Sequence, residues 1–308
     1  MKISESVNSQ KINQASEEIG FNQLPEDQLT KIEHQSTLFA EPIFHIGNFT
    51  VTNSLINSWL AVIIIVILAL VIRLKSANIP KGIQNYAELI LEGAFNLADS
   101  VTGSRTKTLK FLPLVLPLFI FILINNWLGL LPGVGSIGLI ANEHGKLVFI
   151  PFLRGATADL NTTLALAIMA VIFTHIFGVV MVNAWSHLNR FIGLNLFLEI
   201  PRKIIAEKDY KILFINPIKF FVGIIEVVGE LAKIASLSFR LFGNIFAGEV
   251  LLGAMAAIFA FFLPIPFIFL EIIVGIIQAL IFAMLTLVFM TIMTTGHEGE
   301  EGHQAVEH

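Results

Sequence analysis

The sequence predicts an all-α, polytopic membrane protein with about five transmembrane helices. Of its 308 residues, 55% are hydrophobic and only 14% are charged, and the mean hydropathy is +0.80. Soluble domains carry about 25% charged residues, so this composition suits a chain surrounded by lipid. Five apolar stretches approach or exceed the roughly 20 residues that cross a hydrocarbon core of ~30 Å. They cover 54–72, 111–131, 161–185, a span within 217–262, and 267–294.

The net charge and the residue types exclude several classes of function. The formal charge of -4 gives no basic surface for a nucleic-acid partner. Cysteine is absent, which rules out disulfides and thiolate metal sites. The sequence also contains no nucleotide-binding loop, nucleophile triad or zinc motif. We therefore expect no cofactor, no bound metal and no enzymatic activity of the chain by itself.

Lysine and arginine residues predict the orientation of the chain. They gather in the loops after the first and third spans, whereas the loop after the second span holds only Lys146 and Arg154. Cytoplasmic loops are enriched in basic residues, so the even-numbered loops and the N-terminus are predicted to lie outside. The chain then divides into an outside polar extension (1–43), a membrane domain (44–295) and an acidic, histidine-containing cytoplasmic tail (296–308).

Two segments between the spans have patterns of their own. Apolar residues recur with helical spacing from Pro80 to Val101, which predicts an amphipathic helix at the cytoplasmic interface. A plain connecting helix fits the same pattern equally well. The loop of residues 132–159 contains five glycines, and such a composition is typical of irregular structure.

The fourth span predicts an unusually long helix. No proline interrupts the chain between Pro217 and Pro264, and Asn216 followed by Pro217 suits a cap and a first helical residue. About 45 residues at 1.5 Å each give ~68 Å, more than twice the hydrocarbon thickness. We therefore expect a long C-terminal helix hairpin that is steeply inclined or leaves the membrane at one end.

One face of that helix carries most of its polar residues. The face is made of Glu226, Lys233, Ser236, Arg240 and Asn244. Glu230 is placed to pair with Lys233 at i,i+3, and a salt-bridged stripe packed against neighbouring helices is one interpretation of these charges. It explains Arg240 less well, because no carboxylate lies close on the same face. An arginine in mid-membrane costs roughly 2.5–3.5 kcal/mol and cannot lose its proton, so this charge is predicted to serve a function.

The last span adds two polar residues, Glu271 and Gln278. In an antiparallel hairpin with the fourth span, Glu271 lies at the depth of Glu249, and Gln278 at the depth of Arg240. Arg240 and Glu249 leave their helix on opposite sides, so both pairs meet only if the helices cross steeply or bend. Two close carboxylates share a proton near neutral pH, which predicts a proton relay. A structural hydrogen-bonded pair is the alternative.

Several stretches of the sequence resemble a known family. They are 236–249, with Arg-Leu-Phe-Gly-Asn at 240–244 and Ala-Gly-Glu at 247–249; 278–286; and, more weakly, 126–132 and 158–164. From about Phe44 to Thr294, the chain resembles subunit a of the rotary F-type ATP synthases in its bacterial form.

The resemblance implies a role for each of these polar residues. Arg240 faces the carboxylate of a rotating c-ring, and two offset half-channels lead protons to and from that contact. The outer path includes Asp159, Asn244, Glu249, Glu271 and Gln278, and the inner path includes Glu226, Lys233 and Ser236. Glu271 stands where one form of the family has a histidine, although the family also admits an acid there.

The resemblance also implies partners and a location. The partners are the c-ring of small hairpin subunits, the peripheral-stalk subunit b, the rest of the ATP synthase and the lipid of a bacterial inner membrane. The ATP chemistry belongs to partner chains. Two other classes stay open from the sequence: a secondary transporter, which takes up a solute when purified alone, and a structural anchor, which tolerates Arg240→Ala. His175 in the third span is interpreted as a hydrogen-bonded packing residue.

Overall fold

The computed structural model describes residues 37–75, 82–131, 133–143, 146–182, 212–259 and 262–294. These residues form six helices: α1 Asn53–Leu74, α2 Ile83–Thr102, α3 Arg105–Leu130, α4 Leu160–Val182, α5 Ile212–Ile258 and α6 Pro264–Thr294. Five of them, all except α2, are long and apolar enough to cross a membrane. The predicted fold class is therefore confirmed. The predicted cytoplasmic tail and most of the N-terminal extension lie outside the described residues.

Helix α5 is as long as predicted but begins earlier. The prediction that Asn216 caps the helix was wrong, because the helix begins at Ile212 and continues through Pro217. A proline removes one i→i−4 hydrogen bond without necessarily ending a helix, and Pro113 and Pro117 likewise lie inside α3. The 47 residues of α5 correspond to a helix of about 70 Å.

Helix α2 confirms the predicted amphipathic segment between the first two spans. It covers 20 residues and buries Ala98 in a cluster that includes residues of α3 and α6. Gly103 ends it with a φ of 65°, a left-handed conformation that glycine adopts without strain. Across the turn into α3, Arg105 pairs with Asp99 at 2.8 Å.

The connection between α3 and α4 is more regular than predicted. Strands β3 (Gly138–Glu143) and β4 (Lys146–Pro151) form an antiparallel hairpin there. The prediction of an irregular loop was wrong for these residues, because the glycines hid two short runs of aliphatic and aromatic residues that favour strands. A second hairpin, β1 (Pro42–Ile46) and β2 (Phe49–Thr52), precedes α1. Asn53 Nδ2 donates to the Pro151 carbonyl, so both hairpins lie at the same end of the bundle.

The core lies between helices α3 to α6. One buried cluster joins all four helices, and its members are Leu118, Ile122, Leu166, Ala167, Ala170, Val171, Leu237, Leu241, Ala279 and Phe282. A second cluster joins α2, α3 and α6 through Phe111, Leu287 and Met290, among others. The antiparallel hairpin of α5 and α6 is therefore held on one side by α3 and α4. Its other side exposes Ser236, Arg240 and Asn244.

Candidate functional site

Arg240 lies on the exposed face of α5. Its Nη2 atom donates to Ser236 Oγ at 3.3 Å, one turn earlier on the same helix. Among the described residues, no carboxylate lies within ion-pair distance of the guanidinium. Arginine stays protonated in proteins, so α5 presents a permanent positive charge on its exposed face.

Asn244 and Gln278 join the two helices of the hairpin near this charge. Asn244 Nδ2 donates to Gln278 Oε1 at 2.7 Å, and Gln278 is only 2% exposed. Gln278 was predicted to approach Arg240; its partner is instead the residue one turn further along α5. The depth was therefore predicted to within a turn, but the direction of the side chains was not.

Glu271 is 6% exposed, and its carboxylate lies directly against Gly248 of α5. A Cβ atom at residue 248 would overlap that carboxylate, so a larger residue at this point would displace the Glu271 side chain. Two cavities of about 370 Å³ share Glu271 as a lining residue: Arg154 and Glu249 line the first, and Asn244 and Gln278 line the second. Glu271 therefore lies between a cavity at the outer end of the bundle and a cavity beside Asn244, one turn from Arg240.

Glu249 has a different partner from the one predicted. Instead of pairing with Glu271, its carboxylate binds the side chain of Arg154, with Nε 3.0 Å from Oε1 and Nη2 3.0 Å from Oε2. Arg154 is 5% exposed, and sequence reasoning counted it only as a loop cation. Its position among apolar residues and glycine, in Phe152-Leu153-Arg154-Gly155, was the signal that could have found it.

Residues 37–41 form a segment, here called the N-terminal strap, that fixes Arg154 and Asp159. Arg154 Nη2 donates to the Thr37 carbonyl at 2.7 Å, and Nη1 donates to the Phe39 carbonyl at 3.2 Å. Ala40 N donates to Asp159 Oδ1 at 3.2 Å. The strap therefore closes over the outer ends of α4 and α5 and holds both charged residues in place.

Asp159 is 3% exposed and accepts four hydrogen bonds. Oδ1 accepts from the backbone N–H groups of Ala40 and Asn161, and Oδ2 accepts from the hydroxyls of Ser54 and Thr162. It caps α4 and ties that helix to α1 and the strap. It lines a cavity of about 440 Å³ with Ser54, and the structure does not bring it into the cavity of Glu249 and Glu271.

The inner residues of α5 form a charged cluster with α4. Lys233 Nζ donates to Glu230 Oε1 at 2.7 Å, which confirms the predicted i,i+3 pair. On α4, His175 Nε2 lies 3.5 Å from Glu230 Oε2. Glu226 lies one turn before Glu230 and is partly buried. The sequence predicted a hydrogen-bonded packing residue at His175 but did not identify Glu230 as its neighbour, because the two residues are on different helices.

Known proteins match most of the chain. The family model described as the ATP synthase A chain matches residues 55–291. The chain belongs to the ATP synthase A chain family. It is similar to ATP synthase subunit a of Trichlorobacter lovleyi, with 29% identity over 85% of this chain and 91% of that protein. Subunit a of Moorella thermoacetica is 30% identical over 83% of this chain and 96% of that protein.

The family match covers every residue of the candidate site. Arg154 and the polar residues from Asp159 to Gln278 all lie inside the matched range of 55–291, whereas the strap precedes it. Subunit a of Syntrophobacter fumaroxidans is 29% identical over 79% of this chain and 84% of that protein. The resemblance inferred from residues 236–249 and 278–286 is therefore confirmed at the level of the family, and the chain is a multi-pass membrane protein.

Proposed function

We propose that this chain is the stator subunit of an ATP synthase membrane sector, and that Arg240 couples proton translocation to rotation of a c-ring. One observation carries the proposal: Arg240 is a permanent cation on the exposed face of a membrane helix, without a carboxylate partner in the described part of its own chain. Such a charge is too costly in lipid to go without a partner. We propose that its counter-charge comes from another subunit.

The surface around Arg240 supports a helical partner. The neighbouring exposed positions of α5 carry small side chains, at Ala232, Ser236 and Ala247. Small residues let helices approach closely in membranes. On α6, Ile277 and Ile281 are exposed and line the groove beside Ala247. A ring of small hairpin subunits, each with a carboxylate at the depth of Arg240, fits a surface of this kind.

The two cavities that share Glu271 support an outer proton path. The first is lined by Arg154 and Glu249, and Glu271 lines both. The second contains the hydrogen-bonded pair Asn244 and Gln278. Asn244 is one turn from Arg240 on the same helix. A proton accepted by Glu271 thus has a short polar route to a ring carboxylate beside Arg240. Asp159 lines neither cavity, and its predicted place on this path stays a prediction.

The inner path is proposed to run along α5 on the other side of Arg240, past Glu226, Lys233 and Ser236. A ring carboxylate in lipid keeps its proton because burial disfavours the charged form, and a nearby guanidinium favours the charged form. The proton leaves when the carboxylate meets Arg240. Because the cation blocks direct hopping between the two paths, protons cross only when the ring turns. Each charge gains about 2.3 kcal/mol per 100 mV of membrane potential.

The remaining assignments follow from the family and are part of the proposal. The chain acts in a bacterial inner membrane, with its N-terminus outside and its C-terminus in the cytoplasm. The peripheral-stalk subunit b and the other ATP synthase subunits hold it against the ring. Nucleotide binding belongs to those partner chains. Residues 1–43 are the outer extension, 44–295 the membrane domain and 296–308 the cytoplasmic tail.

Arg240→Ala in the assembled complex tests the proposal. We expect ATP synthesis and ATP-driven proton pumping to be lost, while ATP hydrolysis by the detached partner chains is unchanged. Arg105→Ala is a matched control, since it removes an exposed cation paired with Asp99 at the α2–α3 turn. Normal coupled transport by assembled Arg240→Ala complexes would overturn the proposal. Saturable solute uptake by the purified chain alone would point to a secondary transporter.

A further inference from the structure

We propose that His175 and Glu230 form a proton-exchange site between α4 and α5, through which protons pass on the inner side of Arg240. The inference rests on the proposed function, because it adds two residues to the inner path. His175 is on α4, and Glu230 lies at the edge of the face defined by Glu226, Lys233 and Arg240. The juxtaposition that carries it is the 3.5 Å approach of His175 Nε2 to Glu230 Oε2.

The two oxygens of Glu230 are in different situations. Oε1 accepts a short hydrogen bond of 2.7 Å from Lys233 Nζ. Oε2 is buried and makes no hydrogen bond to any described residue. A buried polar atom without a hydrogen bond is costly and needs an explanation, and the group that faces Oε2 is the His175 imidazole, at ion-pair distance. An oxygen that alternately accepts and releases a proton facing His175 provides one.

His175 has the chemistry and the position for this exchange. Imidazole is the side chain that most readily takes up and releases protons near neutral pH, at either of its two ring nitrogens. The His175 side chain is 31% exposed, whereas that of Glu230 is 11% exposed. The ring therefore lies between the surface of the bundle and the buried carboxylate. A proton taken up by the ring passes from Nε2 to Glu230 Oε2, which leaves the imidazole neutral and the carboxyl protonated.

The charged and polar groups around His175 and Glu230 extend along α5 toward Arg240. Lys233 is the charged group of α5 in direct contact with Glu230, and Glu226 lies one turn away. On α6, the neighbour of the cluster is the Phe289 ring, 5.0 Å from Lys233 Nζ, so α6 adds no charge there. Ser236, which accepts from Arg240, is six residues after Glu230, a rise of roughly 9 Å along the helix and about a third of a turn around it. The proposed inner path past Lys233 and Ser236 covers this distance.

Inside-out vesicles containing the assembled complex test the site, because the bath then faces the cytoplasmic side. The measurement is the initial rate of ATP-driven proton pumping as a function of bath pH, divided by the ATP hydrolysis rate of the uncoupled enzyme. We expect His175→Gln to slow pumping about tenfold. The loss of a proton carrier typically slows a reaction by more than tenfold. We expect a smaller effect because Glu226, Lys233 and Ser236 of α5 provide a second route. The dependence on bath pH between about 6 and 8, where imidazoles exchange protons, should flatten.

His45→Gln is the matched control, since His45 lies in the outer hairpin and contacts Thr50. We expect no change in rate or pH profile for this variant. If His175→Gln prevents assembly, Glu230→Asp tests the site instead. This variant keeps the negative charge and moves the carboxylate away from His175, and we expect slower pumping. Assembled His175→Gln or Glu230→Asp complexes with the normal rate and pH profile would overturn this site alone. The proposed function fails separately, if Arg240→Ala complexes remain coupled.

Discussion

Replacing Arg154 with glutamine tests the buried ion pair of the outer cavity. The Arg154 side chain is only 5% exposed and Glu249 is 29% exposed. The guanidinium also donates to two carbonyls of the N-terminal strap. Breaking a buried pair leaves an uncompensated charge and costs about 3–5 kcal/mol. Because water reaches part of the Glu249 carboxylate, we expect the lower end of this range, about 3 kcal/mol.

The measurement is a double-mutant cycle with Arg154→Gln, Glu249→Gln and the double variant. Stability is read as the fraction of the subunit that stays in the purified complex as denaturant is raised. The double variant removes both charges, so its loss should be smaller than the sum of the single losses by about 2 kcal/mol. Arg105→Gln is the control: this arginine is 52% exposed, and surface pairs contribute about 0–1 kcal/mol.

Two results would contradict this reasoning. Arg154→Gln could prove no more destabilising than Arg105→Gln, in which case the buried pair contributes little to the folded complex. The double variant could lose as much as the two single variants together, in which case Arg154 and Glu249 do not interact. Protease cleavage within the strap gives an independent check, because Arg154→Gln removes the hydrogen bonds that hold Thr37 and Phe39, and cleavage within residues 37–41 should become faster.

Gly248→Ala should slow proton-driven ATP synthesis in vesicles, because the added Cβ overlaps the Glu271 carboxylate; Gly93→Ala in α2, where nothing lies within 4 Å, is the control. Equal rates in the two variants would argue against Glu271 as a carrier. Asp159→Ala should cost about 0.5–2 kcal/mol through the lost helix cap, measured by denaturant titration of the complex. Asp159→Asn should keep stability, because the hydroxyls of Ser54 and Thr162 can turn to accept from the amide. It should slow proton flux, because an amide does not carry protons, and a normal flux would remove Asp159 from the outer path.

The sequence predicted the helices well because the bilayer imposes a length on them. Spans of about 20 apolar residues are needed to cross the hydrocarbon core, and α1, α3, α4, α5 and α6 all meet that requirement. The hairpin of β3 and β4 was missed because it lies outside that constraint. There, five glycines were given more weight than the strand-forming residues between them. The predicted start of α5 at Pro217 was wrong, because a proline in the first turns of a helix does not have to be its first residue, and α5 begins at Ile212.

In the candidate site, the sequence predicted how deep each residue lies in the membrane, but not the direction in which its side chain points. Counting residues along an antiparallel hairpin placed Gln278 near Arg240 and Glu271 near Glu249. The observed contacts are with Asn244 and Gly248, which are at most one turn away. Direction depends on how each helix is rotated about its axis, and packing against α3 and α4 decides that rotation. The apolar residues around Arg154 indicate that it is buried, but nothing in the local sequence identifies Glu249, 95 residues away, as its partner.

Arg154 and Arg240 show how the partner of a charge decides its role. Both are permanent cations in a membrane domain. Arg154 is buried, and the chain itself satisfies it with Glu249 and two carbonyls, so it fixes the wall of a cavity and has no capacity left for a mobile partner. Arg240 is exposed and has only Ser236 among the described residues. A fixed counter-charge from its own chain would hold Arg240 as firmly as Arg154 is held. A ring carboxylate can approach Arg240, lose its proton and leave only if no carboxylate of the same chain is already bound to Arg240.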